Sequence, residues 1–316
     1  MSQDLEAKAL EYVEMRLPQI QALDRNTTVF MISVSPIEAH GPHLPLGTDV
    51  FISEHLLTRY IGELSRRRPE LTFVKLPPLW AGSDALPVPG SLSVPAPHLQ
   101  GTLTAYGNGL AKQGFRYMFI ADNHGGPRHQ MAIECAARNL WRHHKFYLID
   151  PFGLDFRHMV QHDPEFMSRT GLGPGLCGDD ADSHAGANET SLMLAGCAER
   201  VHSSSAQTPA STLPPLKGLA RLVMGIGRFI WAFGGVRAGR DLRHLANTLA
   251  WISDPDMLPY MGDPSMATPE AGEAMFAART ENAMTLFERA LDSGGREPVH
   301  IVPMLWGLRA MRRLPE

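Results

Sequence analysis

Glu38, His40, His43 and Asp49 fall within one short loop, Pro36-Ile-Glu-Ala-His-Gly-Pro-His-Leu-Pro-Leu-Gly-Thr-Asp49. Carboxylates and imidazoles this close repel or strand one another unless a cation organises them, and such mixed N/O donors suit Zn²⁺, Mn²⁺ or Fe²⁺. Glu38 and His40 stand two apart, so extended backbone aims both side chains the same way. Asp49 opens a helical pattern. There it also reads as a first-turn carboxylate beside Thr48, favoured by the helix dipole. His43 has no such support and reads as a structural or supporting histidine. The chemistry this loop points to is that of a metal-dependent enzyme.

Two further clusters sit at comparable places. Ala121-Asp-Asn-His-Gly-Gly126 directly follows an apolar run, and its paired glycines let backbone approach a ligand. His124 is the candidate donor there. The weaker alternative is that Asn123 and Gly125 make a plain tight turn that leaves His124 exposed. Asp179-Asp-Ala-Asp-Ser-His-Ala-Gly-Ala-Asn-Glu-Thr-Ser191 leads into a helical pattern. In it Glu189 reads, on its own, as a first-turn glutamate with Asn188 as the cap. The acids from Asp179 to Asp182 read as a solvated loop.

Short apolar runs must position these loops. Residues 28–35, 71–77, 117–122 and 146–150 read as strands, and 50–67, 97–113 and 128–143 as the helices between them. Mostly apolar strands alternating with helices indicate a single α/β/α layered domain with a mostly parallel sheet, spanning 1–316. Leu5, Ala9, Leu10, Val13 and Leu17 at helical spacing predict a first helix over 5–18. Residues 153–187 read as a long functional loop holding one short helix. A helix resumes over 188–199, and 202–218 is irregular. The apolar excursion at about 202–255 includes the run 219–251, which reads as a lid, a subunit contact or plain core. A closing helix over 268–292 starts with Thr268 as N-cap and Pro269 in its first turn.

Composition excludes several classes. At 316 residues, 44% hydrophobic and 20% charged, the chain can bury a large core, and its net charge of −4 offers no footprint for nucleic acid or membrane. Three cysteines without C-x-x-C spacing argue against a disulfide framework and for a reducing cytoplasm. The N-terminal residues lack a signal-peptide apolar region, and Arg221 and Arg228 interrupt the longest apolar stretch.

Glu38-Ala-His-Gly-Pro-His-Leu-Pro-Leu-Gly-Thr-Asp49 closely resembles the creatininase family of creatinine amidohydrolase-like metal-dependent hydrolases. Three later segments match in order: His124-Gly-Gly126, His184-Ala-Gly-Ala-Asn-Glu-Thr-Ser191, and Gly262-Asp-Pro-Ser-Met-Ala-Thr-Pro-Glu-Ala-Gly272. A weaker one is Gly82-Ser-Asp-Ala-Leu-Pro-Val-Pro-Gly-Ser-Leu-Ser93, where Ala85 or Leu86 stands near the family's histidine. The resemblance implies two divalent ions per chain, Zn²⁺ and/or Mn²⁺ with Fe²⁺ as an alternative. Glu38, His40, Asp49, His124 and Glu189 would be the ligands, Asp49 would bridge, and His184 would be the catalytic histidine.

It further implies hydrolysis of a C–N bond in a small amide, cyclic amide or formamide by a metal-activated water, in a homo-oligomer, hexameric in the family. Two departures stand out. Creatininase carries a glutamate two residues after the metal-binding histidine, where this chain has Gly126. It gates its pocket with a tryptophan four residues before the catalytic histidine, where this chain has Asp180, so creatinine is a doubtful substrate. A metal-dependent isomerase or lyase, or a non-catalytic small-molecule-binding relative, remain the alternatives.

Overall fold

The computed structural model describes residues 9–299. Five strands, β1 (Leu10–Glu11), β2 (Thr28–Ser33), β3 (Thr72–Lys75), β4 (Tyr117–Ala121) and β5 (Tyr147–Ile149), form one sheet in the order β1-β3-β2-β4-β5. Every pairing is parallel, with Val29 opposite Phe73 on one side and Tyr117 on the other. The helices between the strands are α1 (Leu17–Ala22), α2 (Thr48–Arg67), α3 (Ala96–Lys112) and α4 (Pro127–His144). After β5 come α5 (Phe152–Gln161), α6 (Pro164–Thr170), α7 (Ala187–Gly196), α8 (Gly218–Ala232), α9 (Val236–Ile252) and α10 (Pro269–Ser293). The α/β layering read from the apolar runs is therefore present.

Alternation along each strand splits the core in two. Val29, Met31 and Phe119 pack with Leu56 and Tyr60 of α2 and with Phe276 and Phe287 of α10. Phe30, Ile32 and Met118 pack on the other face with Leu103 of α3 and Leu140 of α4. Because both faces are covered, β2 is buried at every residue, which is why its sequence reads as an unbroken apolar run. Phe119 stacks on Phe287 with centroids 4.2 Å apart, and truncating either ring to alanine would cost about 3–5 kcal/mol.

β2 connects leftward to β3 through α2, whereas β4 connects outward to β5 through α4, so the chain diverges between the central neighbours β2 and β4. That divergence opens a crevice at their carboxyl ends, where such sheets bind ligands.

Two of these element readings differ from the structure. The helix over 5–18 is absent among the described residues from 9 onward; residues 1–8 lie outside them. Leu10–Glu11 pairs with Val74–Lys75 instead, satisfying the open edge of β3, and a 3₁₀ turn follows. Val13 and Leu17 are exposed, so their helical spacing buries nothing, and α1 starts only where Pro18 fits its first turn. The supposed long loop holds two helices, α5 and α6. Asp163 caps α6 by accepting from the Phe166 N–H, and Gly171 ends it in left-handed backbone. The apolar excursion is a helical hairpin, α8 against α9. Among the described residues no helix is long and apolar enough to cross a membrane.

Candidate metal centre

The loop after β2 is closed by backbone before any side chain acts. Val34 N–H donates to Ala121 O, Ile37 pairs with Leu92, and Glu38 N–H donates to Leu46 O at 2.9 Å. These bonds set Glu38 and His40 at the mouth of the crevice. Asp49, in the first turn of α2, caps nothing; the N-cap is Gly47, and the Asp49 side chain turns into the same space. His124 follows β4, and Glu189 enters from the first turn of α7.

The five groups form two facing sets that share Asp49. His40 Nε2 lies 3.5 Å from Asp49 Oδ1 and 3.6 Å from Glu189 Oε2. On the other side, His124 Nδ1 lies 3.1 Å from Glu38 Oε2 and 3.3 Å from Asp49 Oδ2. Glu38-Asp49-His124 and His40-Asp49-Glu189 each gather three donor atoms close enough to hold one cation. Buried Glu38 Oε2, His40 Nε2 and Asp49 Oδ2 have no hydrogen-bond partner among the described residues. Buried polar atoms left so are costly, and their convergence on one space fits a cation.

Neighbouring carbonyls set the imidazole tautomers. His40 Nδ1–H donates to Glu38 O at 2.9 Å, and His124 Nε2–H donates to Ser83 O at 2.9 Å. Each ring thus turns its other nitrogen toward the carboxylates, as metal-ligating histidines do. In the protein alone the carboxylates hold protons on these rings instead. Burial opposes the His40 charge, but Asp49, Glu189 and Glu38 outweigh it and lift the ring to about 10. His124 is raised well above its ordinary value against burial by Glu38 and Asp49. Burial raises Asp49, and His40 and His124 outweigh it, holding the carboxyl well below the usual range.

His184 lies beside this pair, its ring 4.1 Å from that of His40 and 5.7 Å from Trp251. Its Nε2–H donates to Ala39 O at 2.8 Å, leaving Nδ1 4.0 Å from Glu189 Oε2. The Gly-Asp-Pro segment pins it from behind, since Met261 N–H donates to His184 O at 2.7 Å. As read from sequence, that segment is otherwise structural: Asp263 caps a 3₁₀ turn and Thr268 caps α10. His43 stays outside the donor sets, bonded to Thr190 Oγ1 at 2.9 Å; burial and then His40 bring it down to about 4.

The acids before α7 are a correction: Asp179, Asp180 and Asp182 are buried, not solvated. Asp182, rather than Asn188, caps α7 by accepting from the Ala187 and Asn188 N–H groups at 2.6 and 2.9 Å. Asp179 accepts from His162 and from the Gly175 N–H, and Asp180 from Arg243 Nε at 2.9 Å. Each side chain completes a turn of the loop, which is why they leave solvent. With the cap supplied by Asp182, Glu189 is free to face His40, held by the Ala185 N–H on Oε2 at 2.6 Å.

Gly126 explains where the family's other glutamate went. A Cβ there would stand 2.7 Å from Ser83 O and 2.8 Å from Asp84 Cβ, and closer still to the His124 ring, so no side chain fits. Sequence reasoning missed the supports: Ser83 O on His124, and Leu86 N–H on Glu38 Oε1 at 2.6 Å. It also missed Arg279, a cation on the buried face of α10 among Met275, Phe276 and Ala283. A charge in an apolar stripe was the available signal. A cavity of about 430 Å³ opens onto the site, walled by Asp84 to Pro87, by Phe152 and Phe156, and by His244 and Trp251 of α9.

The profile of the creatininase family, creatinine amidohydrolase, matches residues 13–287. The chain is 26% identical over 271 residues to a mycofactocin precursor peptide peptidase of Mycobacterium ulcerans, covering 82% of this chain and 84% of that one. Its fold is similar to a putative creatinine amidohydrolase from Bacteroides fragilis, with TM-score 0.61 and 22% identity over 90% of this chain and 97% of the other. A structure described as creatininase Mn aligns at TM-score 0.57 and 18% identity, over 89% of this chain and 99% of that one. A match across that span, on a fold whose crevice gathers these carboxylates and imidazoles, shows that the chain belongs to the creatininase family of metal-dependent hydrolases.

Proposed function

We propose that this protein is an amidohydrolase that cleaves a C–N bond of a small amide, cyclic amide or formamide at a pair of divalent ions. The observation that carries this reading is the placement of Asp49, one oxygen facing His40 and Glu189 and the other facing Glu38 and His124. His40, Asp49 and Glu189 would hold one ion, and Glu38, Asp49 and His124 the second. Imidazole and carboxylate donors suit Zn²⁺ or Mn²⁺. When bound, such a pair lowers the pKa of water and polarises a carbonyl.

The chain's own residues supply the rest. His184, held by Ala39 O, presents Nδ1 beside Glu189, where it can take a proton and pass it to a leaving nitrogen. Trp251 and Phe152 line the cavity and exclude water from one side of the substrate. Asp180, where creatininase has its gating tryptophan, is bound to Arg243 of α9 and belongs to that wall's support. Creatinine is therefore not the substrate we propose.

A second substrate reading is a C–N bond at a peptide end, favoured by the peptidase relative and by a cavity of about 430 Å³. Product analysis against small amides, formamides and short peptides separates the two, and an isomerised or eliminated product would point to another reaction class. The primary test is elemental analysis of the purified chain beside Asp49→Ala and His124→Ala. About two ions per chain, lost or halved in the variants, supports the reading; none under metal-replete conditions ends it.

We further propose a homo-oligomer in the cytoplasm. Leu219, Leu222, Ile226 and Phe229 recur along α8 at coiled-coil spacing, Phe233 follows just past its end, and all five are exposed, while Ala220, Met224 and Gly227 of α8 are buried. Such a face suits a second copy. The three cysteines form no disulfide among the described residues, which fits a reducing compartment.

A further inference from the structure

Arg279 is only 1% exposed, and its guanidinium bonds three groups at once. Nε donates to Asp155 Oδ2 at 3.1 Å, Nη1 to Asn123 Oδ1 at 2.6 Å and Nη2 to Asp122 O at 2.9 Å. Asp155 is held in turn by Asn282 Nδ2 at 2.8 Å. Burying a guanidinium is costly, and an ion pair in the core is weak evidence that stability alone is served.

The consequence appears one residue on. The amide of Asn123 could face either way by shape, but an arginine only donates, so the atom meeting Nη1 must be the carbonyl oxygen. The Asn123 amino group is thereby turned toward the site. It donates to Asp49 Oδ1 at 3.0 Å and to Glu189 Oε1 at 2.8 Å. One small amide thus ties together two carboxylates that arrive from α2 and α7.

We infer that Arg279 is a positioning residue that, through Asn123, sets Asp49 and Glu189 in register for the ion facing His40. The inference rests on the two-ion reading given above. It is asymmetric. Asn123 bonds two of the three donors in the His40 set, Asp49 and Glu189, but only the shared Asp49 of the other set, in which Glu38 is held by the Leu86 N–H and His124 by Ser83 O. Loss of the relay should therefore weaken the ion facing His40 more than the second, which shares only Asp49 with it, whereas a general loss of folding would weaken both alike.

Calorimetric titration of the metal-stripped full chain with Zn²⁺ alone tests this, using wild type, Arg279→Met, Arg279→Lys, Asn123→Ala and the Arg279→Met/Asn123→Ala double variant. Two binding steps are expected for wild type. Arg279→Met and Asn123→Ala should each weaken the same step by roughly 10- to 100-fold, and the double variant no more than either alone. Arg279→Lys, a point charge unable to reach three acceptors, should fall between. Both steps unchanged, both weakened alike, or additive losses would overturn the inference. Should Arg279→Met fail to fold by circular dichroism, Asn123→Ala, which removes no buried charge, decides the question. Fewer than two ions in wild type overturns the metal-pair reading itself, a separate outcome.

Discussion

Asp49 stands between two histidines, its Oδ1 3.5 Å from His40 Nε2 and its Oδ2 3.3 Å from His124 Nδ1. A single carboxylate from the start of α2 therefore belongs to both donor sets. Asp49→Ala should lower occupancy of both ions, whereas Glu189→Gln should chiefly affect one. Loss of metal removes several kcal/mol of barrier lowering, about a thousandfold or more in rate. Metal content and turnover measured on the same preparations check this; retention of two ions by Asp49→Ala would refute the bridging role.

Metal binding should release protons. In the protein alone His40 is lifted from 6.5 to about 10 and His124 is raised as well, so both rings carry protons at neutral pH that a cation must displace. Affinity should accordingly rise with pH. The sign for stability is the reverse. A raised histidine stabilises the chelator-treated fold fully below about 6.5, and that contribution fades as pH climbs toward about 10. Calorimetry in buffers of different ionisation enthalpy counts the protons, and melting curves across that window test the stability trend.

His184 is expected to act on protons rather than on metal. His184→Gln should cut turnover by roughly 10²- to 10⁴-fold while leaving metal content near wild type. A variant that loses its ions instead would make His184 a ligand.

Restoring the family's glutamate should fail here. Gly126→Glu places a side chain against Ser83 O and the His124 ring, so the loop must shift and His124 with it. We expect weaker metal binding and a destabilisation of about 1–3 kcal/mol, the usual cost of overpacking. Unchanged melting temperature and full metal content would show that the loop yields.

The exposed stripe on α8 is open to a direct assay. Leu222→Asp with Phe229→Asp should reduce the particle mass seen by light scattering and leave the ions in place, because neither residue faces the cavity. No change in mass would mean that α8 does not join copies.

Much was legible in the chain because the signals were local. The buried strands announce themselves as unbroken apolar runs, and Thr268-Pro269 marks the start of α10 by capping chemistry alone. The first loop shows its donors within a dozen residues. The misread segments are those where a distant partner outweighs the local pattern. Leu10 pairs with β3 instead of coiling, and Asp179, Asp180 and Asp182 are drawn inward by backbone N–H groups, His162 and Arg243.

The sequence by itself determined the α/β class through its periodicity, and it offered Glu38, His40, Asp49 and His124 as candidate donors by type and spacing, with Glu189 added by the family resemblance. Only the tertiary structure decided that Asp49 faces two ways, that Asp182 releases Glu189 from capping, and that α9 walls the cavity. Those are distances between groups far apart in the chain. Arg279 is the clearest case: it lies 156 residues beyond Asn123, and only packing α10 against the sheet brings its guanidinium to that amide.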